Sequence, residues 1–391
     1  HEGPECPLQV LGRGGGRAPQ VATLRPLVIL EDCVAIESDE PALRRVMAHV
    51  SMPGAIEIAF GREPDYFRSN CVLGPEHQTI VCRDTQRSNQ IVGLATRSVR
   101  CLYYQHRIRR IGYLGSLRIV GAARNQSVLY RGYQFIRELH ESDPNPPEFY
   151  VTTIADGNVA AIRSLTTGRA RLPTYRKLTT LHTLAISQNG PRSRPQPEID
   201  VHQPVGLQEV ASALRQIKVR RNLQPDYSVA DFEPGGTFDG LNPENTVILT
   251  KCGQLAAIGG TWDQRHFRQS IVRDYSTHVR FLRPLYNLIS SVWRRAPLPQ
   301  RGRDLQVAYL AFPWVRDSHV GTFHQLIEEA RRRLSKSVRT LLAGFCENDP
   351  LLPVAQRLAH FDYRSTVYAV SWDGMAVPEH KTPYYLELGC L

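Results

Sequence analysis

The chain has 391 residues, of which 42% are hydrophobic and 22% are charged, and this is enough length for two domains of ordinary globular composition. Its net charge of +11 would help to bind a phosphate-bearing ligand or, weakly, a nucleic acid, and the charge does not decide between them. No zinc-finger, RNA-binding-sheet or basic-zipper signature is visible. No apolar run approaches the ~18 residues that span a bilayer and no signal-peptide pattern is visible, so we expect a soluble cytoplasmic protein with no membrane partner.

The first part of the chain alternates between strand and helix patterns. Residues 1–21 are rich in glycine, proline and arginine and are predicted to be disordered. A short apolar run at 33–36 predicts a strand, and Ser38-Asp39-Glu40-Pro41 then has the composition of a helix start, with the helix reaching about residue 50. Two predicted strands follow at 78–83 and 90–97, joined by a polar turn.

The segment 111–140 is the centre of our interpretation. A predicted strand at 113–120 leads into a polar turn, Arg124-Asn125-Gln126-Ser127, and then into a helix whose apolar residues recur at helical spacing. A polar loop at a helix start directs unpaired backbone N–H groups and the positive end of the helix dipole to one place, which suits a phosphate group. The alternative is an ordinary strand-to-helix turn.

Further strand and helix patterns complete the first half of the chain. Residues 148–154 predict a strand, and Asp156-Gly157-Asn158 opens a short helix. Two more strands are predicted at 175–178 and 181–186. Serine, proline and charged residues dominate after these strands, so we predict a linker at 191–205.

Beyond the linker the same plan begins again. The predicted elements are helix 206–221, strands 246–251, 254–259 and 305–315, helix 320–334, strand 339–346, helix 350–360 and strand 363–372. Equivalent residues keep a nearly constant separation, since Asn348 follows Asn158 by 190 positions and Tyr363 follows Tyr175 by 188. Such offsets indicate one unit used twice. We therefore predict domains at 22–190 and 206–391, with an insertion around 262–303 in the second.

This order of elements resembles the GCN5-related N-acetyltransferase (GNAT) superfamily in a tandem two-domain arrangement. The resemblance implies an α/β (α+β) fold of two tandem GNAT-like domains, each a mixed, mostly antiparallel sheet flanked by helices. It also implies acetyl-CoA as a cosubstrate, with its pantetheine arm between the fourth and fifth strands of the first domain. The implied cofactor-binding residues are Arg118, Ile119 and Val120 on the strand, Arg124, Asn125, Gln126, Ser127, Val128 and Leu129 in the phosphate loop, and Asn158 of the Asn-x-x-Ala helix start.

The chain departs from the superfamily pattern at several positions. Ser127 and Leu129 stand at the small or glycine positions of the phosphate loop, and Leu165 stands where a tyrosine often protonates the departing thiolate. The strand 113–120 contains no glutamate to act as a base, and the loop 313–321 of the second domain lacks the phosphate-loop pattern altogether. The candidate catalytic proton handlers are Asp156, Tyr113 and His182.

These features lead to a hypothesis about function. The chain is predicted to be an acyl-CoA-dependent N-acyltransferase, specifically an N-acetyltransferase that moves an acetyl group from acetyl-CoA to a primary amine by direct attack and without a metal ion. The alternative is a catalytically silent GNAT-fold protein that binds a ligand or regulates a partner. A nucleic-acid partner is a weaker third hypothesis that rests on charge alone. The acceptor amine, the oligomeric state and coenzyme binding by the second domain are left open.

Overall fold

A computed structural model of the chain describes residues 29–121, 126–169, 171–204, 206–217, 221–290, 292–372 and 382–391. The segment predicted to be disordered, 1–21, lies outside the described residues, and so do Arg124 and Asn125 of the predicted phosphate loop. The side chain of Gln126 is also outside them, although its backbone begins a helix.

The first half of the chain alternates between strands and helices. Its strands are β1 (Leu30–Val34), β2 (Ile56–Gly61), β3 (Glu76–Asp84), β4 (Gln90–Tyr104), β5 (Arg107–Ile119), β6 (Tyr150–Ala155) and β7 (Thr174–Ser187). Its helices are α1 (Glu40–His49), α2 (Tyr66–Ser69), α3 (Gln126–Glu141) and α4 (Val159–Leu165). Asn158 begins α4 as its cap, because its Oδ1 accepts a hydrogen bond from the Ala161 N–H at 3.2 Å.

The second half repeats this order and adds an insertion. Its strands are β8 (Asp200–His202), β9 (Thr246–Lys251), β10 (Gln254–Trp262), β11 (Gln269–Tyr275), β12 (Val307–Val315), β13 (Thr340–Cys346) and β14 (Ala359–Ser371). Its helices are α5 (Leu207–Arg215), α6 (Thr277–Ser290), α7 (Val320–Arg333) and α8 (Leu352–Leu358). The insertion holds β11 and α6, and the segment 382–391 follows the last strand.

One twelve-stranded sheet runs through both halves in the order β1-β3-β4-β5-β6-β14-β7-β13-β12-β10-β9-β8. Most neighbouring strands are antiparallel, and the parallel pairs among the described strands are β5 with β6 and β12 with β13. The two halves exchange their last strands, since β14 lies between β6 and β7 while β7 pairs with β13. Each half therefore completes the sheet of the other, and separating them would break paired strands.

Helices cover both faces of the first-half sheet. Helix α3 buries Leu129 and Tyr133 on one face, and α1 buries Leu43 on the other. Ile80 and Val81, which are neighbours on β3, enter these two different clusters because successive side chains of a strand point to opposite faces. Among the described residues, no helix combines the length and the apolar character needed to cross a bilayer.

The structure corrects some of the predicted elements. The prediction of two strands at 175–178 and 181–186 is wrong, because β7 is one strand that pairs with β13 on one side and β14 on the other. Residues 200–202 of the predicted linker form β8, which pairs with β9. Strand β2, which no local pattern signalled, pairs with β11 from the insertion. The division into domains at 22–190 and 206–391 stays a proposal.

Candidate active site

Strands β5 and β6 in the middle of the first half pair only at one end. The pairing is limited to Gly112 with Tyr150 and Tyr113 with Val151. Beyond this point β5 continues to Ile119 with β4 on one side and no described strand on the other. The two strands therefore diverge, and they leave an opening along the edge of β5.

A β-bulge lies on β5 at this opening. Between Gly115 and Arg118, β5 carries one residue more than the paired stretch of β4. Ser116 in the bulge has a φ of +52°, a left-handed conformation that residues with a side chain seldom adopt. Because the extra residue shifts the alternation of side chains by one, Tyr113 and Arg118 lie on the same face of β5.

The backbone alternation after the bulge decides which groups face the opening. The Val120 N–H donates to Val92 O at 2.9 Å, so Val120 directs its backbone groups toward β4. In an antiparallel ladder the direction alternates with each residue, so Arg118 also faces β4 and Ile119 faces the opening. Of the three strand residues predicted to pair with a coenzyme arm, Ile119 is the one whose N–H and C=O are suitably oriented.

The second half has an equivalent opening, and the chain itself fills it. Strands β12 and β13 pair only over Val307–Tyr309 of β12, and Phe312 in the bulge that follows has a φ of +40°. The segment 382–391 enters this opening, where the Phe312 N–H donates to Glu387 Oε2 at 2.9 Å. A backbone group equivalent to those of the first opening is thus already occupied by a side chain of the protein.

A small cavity lies beside the closed end of the first opening. Its volume is about 60 Å³, which is room for a few water-sized groups. The lining includes Ser98, Arg100 and Leu102 of β4, Ile111, Gly112 and Tyr113 of β5, Val151 of β6, and Leu386, Glu387, Cys390 and Leu391 of the segment 382–391. The cavity wall is therefore mostly apolar, and it brings a phenol and a carboxyl group to one place.

Glu387 and Tyr113 are the titratable groups of this cavity that suit proton transfer. Burial raises the pKa of Glu387 above its ordinary value of 4.5, although hydrogen bonds from the Tyr385 hydroxyl and the Phe312 N–H lower it. Glu387 Oε1 is buried and accepts no hydrogen bond from the described residues. Burial also raises the pKa of Tyr113, whose hydroxyl lies 2.8 Å from Thr153 Oγ1. A neutral phenol and a carboxyl of raised pKa suit proton donation and acceptance.

The other two predicted proton handlers lie on either side of β14. The Asp156 N–H donates to Arg364 O at 3.1 Å. His182 on β7 pairs with Arg364 from the other side, and its Nδ1 lies 3.0 Å from both carboxylate oxygens of Asp362. Within the part of the chain that the structure describes, neither Asp156 nor His182 hydrogen bonds to Tyr113. The three predicted residues therefore do not form one hydrogen-bonded constellation.

The described part of the predicted phosphate loop is the first turn of α3. Ser127 is exposed there, whereas the side chains of Val128 and Leu129 are buried against the sheet. Val128 and Leu129 therefore present no polar side-chain group to a phosphate. Asn158 lies at the start of α4 with its side-chain oxygen engaged as the cap. The role of these residues in holding a coenzyme stays a prediction.

Glu387 is the residue of this site that the sequence reasoning missed. The segment 382–391 follows the last predicted strand and was assigned no element. Its apolar run around Tyr384 and Leu386 is a signal for burial, but that signal does not say which strands will bury it. The carboxyl group reaches β12 only because the chain returns to the sheet after β14.

Comparison with known proteins identifies the fold. No protein-family model and no curated protein matches the sequence. The structure is similar to N-myristoyltransferase from Saccharomyces cerevisiae with bound myristoyl-CoA, with a TM-score of 0.56 and 10% identity over 89% of this chain and 80% of that chain. A second structure of that enzyme with bound myristoyl-CoA gives a TM-score of 0.55 and 10% identity over 91% and 87%. Identity this low establishes a fold and not an activity.

The chain has the GNAT fold, and the prediction made from the sequence is confirmed on this point. The mostly antiparallel sheet, the helices on its faces and the repeated order of strands all agree with that fold. The exchange of β7 and β14 makes the two units parts of one continuous sheet.

Proposed function

We propose that the chain is an acyl-CoA-dependent N-acyltransferase whose first half binds the thioester. This proposal rests on the difference between the two openings. The opening between β5 and β6 is lined by backbone groups of Ile119 and ends at a cavity, whereas the opening between β12 and β13 is filled by the segment 382–391. The similar N-myristoyltransferase structures contain a bound acyl-CoA, which supports a coenzyme in the first opening.

The size of the cavity supports a short acyl group. A volume of about 60 Å³ beside Tyr113 suits an acetyl group and is far too small for a long fatty chain. The apolar wall formed by Leu102, Ile111 and Val151 would exclude water from the thioester. We therefore propose acetyl-CoA as the cosubstrate and a primary amine as the acceptor.

The proposed reaction is direct attack of the amine on the thioester carbonyl. The C–N bond forms and the C–S bond breaks, while Glu387 takes the proton that the amine loses and Tyr113 donates a proton to the departing thiolate. A backbone N–H on the edge of β5 would polarise the carbonyl oxygen. We assign no step to Asp156 or His182, which lie beside β14.

Calorimetric titration with acetyl-CoA tests the proposal. We expect one site per chain, because the second opening is filled by the protein itself. Arg124→Glu places a negative charge in the predicted phosphate loop and should weaken binding by about tenfold or more. The matched control is Arg316→Glu in the corresponding loop of the second half, which should leave the Kd within about twofold.

Three results of this titration would contradict the proposal in different ways. Absence of binding to the wild-type chain would end the enzyme hypothesis. Two equivalent sites would contradict the role of the segment 382–391 as an occupant of the second opening. Binding without thiol release for any amine would favour the catalytically silent alternative.

A further inference from the structure

Three arginines converge on the face of β5 that carries Tyr113. Arg62 follows β2, Arg118 lies beyond the bulge on β5, and Arg268 precedes β11. The guanidinium carbons of Arg62 and Arg118 lie 5.8 and 5.6 Å from the centre of the same Phe60 ring. Arg268 is near enough for its charge to act on both Arg62 and Tyr113. We call Arg62, Arg118 and Arg268 the arginine cluster.

No carboxylate side chain from the described ranges pairs with the arginine cluster. Arg62 is only 4% exposed, and it donates to a single main-chain oxygen. Arg118 also donates to one main-chain oxygen, and its buried Nε has no hydrogen-bond partner among the residues that the structure describes. Arg268 is better paired, because it donates to Gln264 Oε1 and to the backbone oxygens of Gly389 and Leu391 at 2.6 to 3.4 Å. Arg62 is buried, whereas Arg118 and Arg268 are half-buried. Because a buried cation in a protein is normally paired, the incomplete pairing of Arg62 indicates that an anion from outside the chain completes the arginine cluster.

Arg97 shows how the same fold treats an arginine that has a structural role. Arg97 is 6% exposed and donates to Gln78, to the Tyr150 hydroxyl and to the carboxylate of Asp143 at 2.9 to 3.0 Å. Every nitrogen of its guanidinium has an acceptor. Arg62 of the arginine cluster is buried to about the same extent as Arg97. Its guanidinium, however, is incompletely paired.

The electrostatics of the arginine cluster agree with an unfilled anion site. Burial lowers the pKa of Arg62 well below its ordinary value, and the charges of Arg268 and Arg118 lower it further. Burial lowers the pKa of Arg118 to about 10, and it also lowers that of Arg268. The fold therefore keeps three positively charged groups in partly desolvated positions. A bound anion would offset the free-energy cost of that desolvation.

We propose that the arginine cluster binds an anionic group of the acceptor, either a carboxylate or a phosphate, so that the acceptor is an amine that also carries an oxyanion. This proposal rests on the proposed function. Arg118 and Tyr113 lie on the same face of β5, and Arg268 lies near Tyr113. An acceptor held by its oxyanion would present its amine at the end of the opening. The planar guanidinium fork matches two oxygens of a carboxylate or a phosphate.

Thiol-release kinetics with paired amines test this substrate class. The pairs are β-alanine with β-alaninamide, and phosphoethanolamine with ethanolamine, and they distinguish a carboxylate from a phosphate. We expect kcat/KM to be about tenfold or more higher for the anionic member of one pair. Arg62→Met should remove that preference and leave the neutral amines within about twofold. Two results would overturn the proposal. One is an equal kcat/KM within both pairs for the wild type, and the other is an equal loss of kcat/KM for all four amines in Arg62→Met.

A binding measurement separates this proposal from the proposed function. Inorganic phosphate or acetate, added without coenzyme, should raise the Tm of the wild-type chain and not that of Arg62→Met. If phosphate or acetate raises the Tm of the wild-type chain but acetyl-CoA does not bind, the arginine cluster is an anion site and the proposed acyl-transfer function is wrong. If acetyl-CoA binds and neither anion raises the Tm, the proposed class of acceptor is wrong.

The stability of the variants provides the folding control. Arg62→Met removes an unpaired buried charge, so its Tm should be no lower than that of the wild type. Arg97→Met removes a paired buried charge and should melt at a clearly lower temperature. Similar losses for both variants would show that Arg62 has a structural role like that of Arg97.

A second and independent observation concerns helix α6, which carries an exposed apolar face. Phe281, Leu285 and Leu288 recur at helical spacing and are 78%, 57% and 74% exposed. Val292 and Trp293 extend this face past the end of the helix. Soluble proteins seldom leave such a continuous apolar surface uncovered unless it binds something.

The charge around α6 indicates what the apolar face binds. Residues 275–303 include six arginines and no aspartate or glutamate, and two of these arginines, Arg280 and Arg301, pair with the neighbouring Asp274. Arg294 and Arg295 adjoin Trp293, and the guanidinium carbon of Arg295 lies 5.3 Å from the centre of the Trp293 ring. Apolar side chains and a tryptophan bordered by arginines are typical of helices that lie in the headgroup region of an anionic bilayer. We infer that α6 attaches the protein to an anionic lipid surface without crossing it, contrary to the expectation from the sequence that the protein has no membrane partner.

Co-sedimentation with vesicles tests this surface. Binding should occur with vesicles of equal parts phosphatidylcholine and phosphatidylglycerol, be much weaker with phosphatidylcholine alone, and fall as salt is raised. The double variant Phe281→Ser with Leu288→Ser should lose binding, and Arg294→Glu with Arg295→Glu should lose the preference for the anionic vesicles. Phe361→Ser, at an exposed aromatic of β14, is the control and should bind like the wild type.

Two results would overturn the inference about α6. The first is equal binding, or none, to the two kinds of vesicle. The second is a dimer in sedimentation velocity that Phe281→Ser converts to a monomer, because a second copy of the chain would then be the partner of this face.

Discussion

Replacing Glu387 with glutamine should lower kcat/KM for amine acylation by about a hundredfold or more, within the range that a positioned general base contributes. The amide has nearly the shape of the carboxyl group, and one oxygen can still accept from the Phe312 N–H and the Tyr385 hydroxyl. The fold and the Kd for acetyl-CoA should therefore persist while turnover is lost. Thiol-release kinetics and calorimetric titration measure the two quantities separately.

The dependence on pH gives Glu387 a signature that a structural role would not produce. Because burial raises its pKa, the base form exists only above that raised value, so kcat/KM should rise with pH through an apparent pKa above 4.5. In Glu387→Gln, kcat/KM should no longer show this rise with pH. If the same rise of kcat/KM with pH persists in Glu387→Gln, another group accepts the proton.

Stability should have the opposite dependence on pH at Glu387. Its pKa is raised by folding, so the folded chain binds the proton more tightly than the unfolded chain does. The resulting stabilisation is fully present below the ordinary value of 4.5 expected for the unfolded chain, and it is lost as the pH rises through the folded pKa. Glu387→Gln should remove this loss, which denaturation at a series of pH values would measure.

Replacing Gly112 with alanine should lower the free energy of unfolding by about 3 kcal/mol, the upper end of the range for overpacking. An added Cβ would lie 2.1 Å from Cδ1 of Tyr150, far inside the ~3.5–4.0 Å of an ordinary carbon contact. The ring has no room to move, because Tyr150 is fully buried and its hydroxyl accepts from Arg97 Nε at 2.9 Å. Urea denaturation measures the change.

Coenzyme binding should weaken in the same variant. Gly112 and Tyr150 form the closed end of the opening between β5 and β6, so a displaced ring would alter its shape. The matched control is Gly132→Ala in α3, where an added Cβ meets no atom within 4 Å. Alanine is favoured over glycine inside a helix by about 0.5–1 kcal/mol, so this control should be at least as stable as the wild type. A wild-type urea midpoint for Gly112→Ala would mean that the contact with Tyr150 is not rigid.

Local patterns predicted much of the secondary structure and the repeated plan. Apolar residues at helical spacing predicted α3 and α7, and the cap residue Asn158 marked the start of α4. The nearly constant offsets between the two halves indicated one unit used twice. These signals are readable because periodicity and capping depend on residues within a few positions of one another.

The site itself was only partly predictable. The sequence directed attention to Tyr113 and to the strand before α3, and the structure places Tyr113 at the end of an opening. Asp156 and His182 were chosen by residue type, and the structure places them beside β14 instead. Glu387 was missed because nothing near it in the sequence indicates that it reaches Phe312, 75 positions away.

The sequence by itself determined the kinds of element, their order and the doubled GNAT plan, because each of these is encoded in short-range patterns of apolar, capping and turn residues. Only the tertiary structure decided the exchange of β7 and β14, the filling of the second opening and the assembly of the arginine cluster. These features depend on contacts between distant segments, such as β2 with β11. A strand's pattern shows that it will be buried, but its partner is chosen by the packing of the whole chain.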